Sequence, residues 1–76
     1  MDKRLQAIVD NILRELQRIQ DDHEPFNSPH EALGVVLEEV RDLETAVFQH
    51  NCSYDKLAHE SQQLAARCIR LILDCT

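Results

Sequence analysis

The sequence predicts an all-α chain of three helices, and three observations carry that expectation. One glycine and two prolines in 76 residues leave little material for repeated tight turns. Apolar residues recur at spacings of three and four, the period of a helix face. Two clusters of helix breakers, Pro25 to Pro29 and His50 to Ser53, then divide the chain into three segments, each long enough for about five to six helical turns. With 76 residues the chain is read as a single all-α domain spanning 1–76.

The first helix is expected over residues 3–23. Leu5, Ile8, Val9, Ile12, Leu13, Leu16 and Ile19 form its apolar stripe, while Arg4, Asp10, Asn11, Arg14, Gln17 and Arg18 lie off it. Pro25 disfavours a helical conformation in the residue before it, so the helix ends ahead of a connector through Phe26 and Asn27.

A second helix is expected over 29–49. Ser28-Pro29-His30-Glu31 has the form of a capping box, in which Ser28 accepts from the Glu31 amide and the Glu31 carboxylate reaches back to Ser28. Pro29 takes the first helical position, where its missing N–H costs nothing. The stripe is Leu33, Val36, Leu37, Val40, Leu43 and Val47, and Gly34 within it implies that something packs closely there.

Asn51 suits a left-handed cap and Ser53 a helix start, which places a third helix over 53–74. Leu57, Leu64, Ala65, Cys68, Ile69, Leu71, Ile72 and Leu73 make its end apolar more than halfway round. Two intrachain neighbours cannot cover such a helix, so the chain is expected to associate into a helical-bundle homo-oligomer, a dimer or tetramer. Cys68 and Cys75, seven apart, are expected as small core residues.

Composition narrows the function. Eight Lys and Arg against 14 Asp and Glu give a net charge of −6, which leaves no basic stripe for a nucleic-acid polymer. Three cysteines without a CxxC pair fit reduced thiols better than a disulfide framework. No apolar run approaches the roughly 18 residues a bilayer requires, and a soluble, cytoplasmic protein is expected. His50 and Cys52 lack the further donors of a zinc site, and Glu60 is followed three residues on by Gln63, not by the His of a di-iron bundle.

The residues with chemical potential are acids. Glu38-Glu39-Val40-Arg41-Asp42 sits on the second helix and Glu60-Ser61-Gln62-Gln63 on the third. Residues three or four apart share a helix face, so Glu39 with Asp42, and Glu60 with Gln63, are side-by-side oxygen donors that antiparallel packing can bring together. Mg²⁺ favours such oxygen clusters and completes its shell with substrate phosphates. A solvated acidic face is the alternative.

The stretch Glu31 to Leu43, EALGVVLEEVRDL, followed by His59 to Arg70, HESQQLAARCIR, resembles the MazG-like all-α nucleoside triphosphate pyrophosphohydrolases. Their signature is EExxE, a variable spacer, then ExxD, and here the spacer is residues 43–59. The resemblance implies a MazG-like fold and hydrolysis of a (deoxy)nucleoside triphosphate to the monophosphate and pyrophosphate. It implies Mg²⁺ or Mn²⁺ held by Glu39, Asp42, Glu60 and Gln63, with Glu38 as a supporting or water-activating acid. Lys56, Arg41 and Arg67 are candidates for phosphate contact. Asp42 stands where the family has Glu, and Gln63 where it has Asp, which removes a charge from the cage. A non-catalytic helical oligomerisation or interaction module is the rival reading.

Overall fold

The computed structural model describes residues 2–76, and it is all-α: α1 spans Lys3–Asp22, α2 Pro29–Phe48 and α3 Tyr54–Cys75, with no strand among the described residues. Each boundary falls within one residue of the sequence expectation. Asp2 caps α1, accepting from the amides of Arg4 at 2.7 Å and Leu5 at 3.1 Å. Ser28 and Ser53 cap α2 and α3, accepting from Glu31 N and Lys56 N, each at 3.1 Å.

Three local expectations are corrected. The Glu31 carboxylate accepts from Asn27 Nδ2 at 3.1 Å, so its partner comes from the connector side chain. No non-glycine residue has positive φ among the described residues, so Asn51 is not a left-handed cap; α2 ends on an extended Gln49 at φ −65°, ψ 142°. Gly34 faces open space, with nothing within 4 Å of where a Cβ would sit.

Helix α3 is the shared neighbour. Both α1 and α2 pack on it, while α1 and α2 make no close backbone approach to each other. Glu39 meets Arg67 and Asp42 approaches Glu60, so α2 and α3 run antiparallel as a hairpin. Residues 24–26 meet Arg70 and Asp74, so the exit of α1 lies beside the end of α3. The topology is up, down, up.

Leu16 and Ile19 of α1 pack on Ala66 of α3, with Ile12 and Ile69 at the edge. Ala32 and Ala46 are fully buried on α2, and Phe26 is buried in the connector. Burial of each large aliphatic side chain contributes about 1.5–3 kcal/mol, so a core with so few of them is small for its chain. Much of the apolar stripe stays exposed: Leu5, Ile8 and Leu13 on α1, Leu33, Leu37 and Val47 on α2, Ile72 and Leu73 on α3. Cys68 is exposed too and Cys75 half-buried, against the expectation of core roles, because that side of α3 faces neither α1 nor α2. No helix among the described residues is long and apolar enough to cross a membrane.

A second tie fixes the far end. Arg70, 5% exposed, lays its guanidinium over the Phe26 ring at 4.0 Å, donates to the Glu24 carbonyl and pairs with Asp74 at 3.4 Å. Asp74 Oδ2 in turn accepts from Phe26 N at 3.0 Å. The α1–α2 connector is thereby clamped to the last turn of α3.

Candidate metal centre between two helices

Antiparallel packing of α2 on α3 brings the acids together. Glu39 and Asp42, three apart, share a face of α2. With Glu60 of α3 they form a group whose ligand oxygens all lie within 4.8 Å of one another. Asp42 is exposed, Glu39 half-buried, and Glu60 only 7% exposed. The cluster therefore runs from solvent into the interface.

Two cations already face it. Arg67 Nε lies 3.2 Å from Glu39 Oε1, and Lys56 Nζ lies 3.0 Å from Glu60 Oε1. Against three carboxylates they leave one negative charge uncompensated. Burial holds the Glu39 carboxyl above its usual range; Arg67 opposes the shift, while the nearby charges of Asp42, Glu60 and Glu38 add to it.

The donor set fits a hard divalent cation. Ligands on opposite sides of Mg²⁺ are about 4.2 Å apart at its bond length of about 2.1 Å, and those around Ca²⁺ or a larger ion are farther apart. A spread of 4.8 Å closes onto such an ion with a small side-chain adjustment.

Gln63 Oε1, the atom that would ligate, accepts from Arg67 Nη1. Its amide lies near Glu15 of α1. Hydrogen bonding from Arg18 comes first in holding the Glu15 carboxyl below its usual range; burial opposes it, and Gln63 and the charges of Arg18 and Arg67 assist. Glu38 and Arg41 are exposed beside the cluster. Of the candidate phosphate contacts, Arg67 and Lys56 reach the acids.

No family model, curated protein or solved structure matches this chain.

Glu15 was not among the sequence candidates. Its signal was present: an acid at the edge of the α1 stripe, one residue before buried Leu16. The pairing of Arg67 and Lys56 with individual acids was also unassigned, although Lys56 and Glu60 stand four apart on one helix.

Proposed function

We propose that this chain is a Mg²⁺-dependent nucleoside triphosphate pyrophosphohydrolase of the MazG-like kind that works as a homo-oligomer. The supporting observation is the meeting of Glu39, Asp42 and Glu60 from two sequence motifs 17 residues apart (residues 43–59 intervene). Glu39, Asp42 and Glu60 would hold the ion, which when bound neutralises charge on the triphosphate. Water adds at the α-phosphorus, the α–β anhydride bond breaks, and nucleoside monophosphate and pyrophosphate leave. Glu38, exposed on the same helix next to Glu39, would orient the water or take its proton. Arg67 and Lys56, already at the cluster, supply positive charge for phosphate oxygens.

The apolar side chains left open on all three helices support self-association, since covering them would enlarge a small core. An open groove of about 320 Å³ between α1 and α3, lined by Ile8, Ile12, Ala58 and Ala65 among others, lies within that surface.

A second reading is favoured by one observation: Glu39 and Glu60 already have protein cations as partners, as expected of a non-catalytic helical module. Pyrophosphate release from a panel of ribo- and deoxynucleoside triphosphates, with Mg²⁺ and with EDTA, separates the two. Metal-dependent release lost in Glu39→Ala supports the enzyme; no release from any nucleotide supports the module.

A further inference from the structure

We infer that Arg67 is the resident counter-cation of the centre, positioned over Glu39 by Gln63, and that a divalent ion loads by taking Glu39 from it. The inference rests on the metal reading of Glu39, Asp42 and Glu60. It assigns Gln63 a positioning role in place of a ligating one.

The contacts form one chain from α3 to α2. Glu15 of α1, which accepts from Arg18 Nε at 3.1 Å, lies near Gln63. Gln63 Oε1 accepts from Arg67 Nη1, and Arg67 Nε faces Glu39 Oε1 at 3.2 Å. Arg67 and Glu39 side chains are each 14% exposed, so solvent screens their attraction little. The Gln63 side-chain oxygen is thus occupied by protein.

The chemistry of position 63 matters. A neutral carbonyl oxygen steadies a guanidinium without matching its charge, so the full charge of Arg67 remains directed at Glu39. A carboxylate at 63 would pair with Arg67 itself and draw it away. When Glu39 turns to a divalent ion, Arg67 keeps its bonds to Gln63, including the Gln63 carbonyl at 3.5 Å, and its remaining donors become free. A planar guanidinium held in that way can engage two phosphate oxygens at once.

The test titrates the full chain with MgCl₂ while following the Arg67 Nε–Hε NMR signal and measuring affinity by calorimetry. In the wild type that signal shifts as Mg²⁺ saturates. Arg67→Met, which keeps the apolar stem and removes the competitor, binds Mg²⁺ about tenfold more tightly, while the Mg²⁺-loaded variant binds pyrophosphate more weakly. Gln63→Leu binds Mg²⁺ at least as tightly as the wild type. Weaker Mg²⁺ binding by Gln63→Leu overturns the positioning role, and unchanged or weaker binding by Arg67→Met overturns the exchange. Saturable Mg²⁺ binding that leaves the Arg67 signal unmoved also overturns it, and this needs no variant to fold. Those results leave the metal reading standing, whereas no saturable Mg²⁺ binding by the wild type overturns both.

Discussion

Removing the Arg70 guanidinium should cost this small protein a large share of its stability. Arg70→Met keeps most of the aliphatic stem and deletes three contacts: the stacking on Phe26 at 4.0 Å, the hydrogen bond to the Glu24 carbonyl and the pair with Asp74 at 3.4 Å. Taken singly, a desolvated cation–π contact contributes about 2 kcal/mol and a charged hydrogen bond about 1.5–3 kcal/mol. Breaking a buried pair costs about 3–5 kcal/mol, mostly from the stranded partner. These figures overlap, and Asp74 keeps Phe26 N at 3.0 Å. The expected loss is therefore about 3 kcal/mol, against a total stability of about 4–11 kcal/mol for a chain of this length. It corresponds to a Tm lower by about 12–24 °C. Circular dichroism melts and urea titrations at one fixed protein concentration measure it. Arg18→Met is the control: its pair with Glu15 stands 57% exposed on the arginine side, where solvent screens it, and the melt should move little. A loss from Arg70→Met no larger than the control would refute the view that the connector is clamped to α3 through a water-poor cluster.

Gly34→Ala should stabilise by about 0.5–1 kcal/mol, because the position is helical and a Cβ meets open space; destabilisation in chemical denaturation would mean that another surface packs there. Ile19→Ala, at the centre of the core, should cost about 2–5 kcal/mol by the same assay. The carboxyl of Glu39 is raised in the fold, so its ionised form opposes folding above its titration range, and acidification through that range should relieve the burden. Glu39→Gln should accordingly gain stability over the wild type near neutral pH and lose the advantage in acid; an advantage that grows in acid contradicts the sign. Sedimentation equilibrium at micromolar concentration should give a species heavier than the 8.8 kDa chain, and a well-folded monomer would count against self-association.

Helix number and boundaries were legible because period and punctuation agree: Pro25 and Pro29 flank the first break, and Ser28 and Ser53 start helices as their hydroxyls favour. The meeting of Glu39, Asp42 and Glu60 was legible from spacing plus antiparallel packing. Burial was less so. An apolar stripe tells which face seeks cover but not what covers it, so Leu5, Cys68 and Ile72 read like core residues and stand exposed. Gly34 misled for a related reason, since a glycine signals freedom to approach without naming an approaching partner. The Arg70 clamp was invisible because it joins groups 46 residues apart in the chain, at the end of a helix where a lone arginine is ordinary.

The central place of α3 also shapes how the chain opens. The α2–α3 hairpin is closed by a short turn, so its contacts can form with little loop entropy. Helix α1 is held to α3 chiefly in its second half, at Leu16 and Ile19, while Leu5 and Ile8 lie open near the Asp2 cap. Local unfolding therefore has a natural order: the first turns of α1 fray at low cost, the rest of α1 detaches as a cooperative unit, and the hairpin yields last. Amide protons should exchange in those three tiers, with the acids of the centre riding on the slowest one.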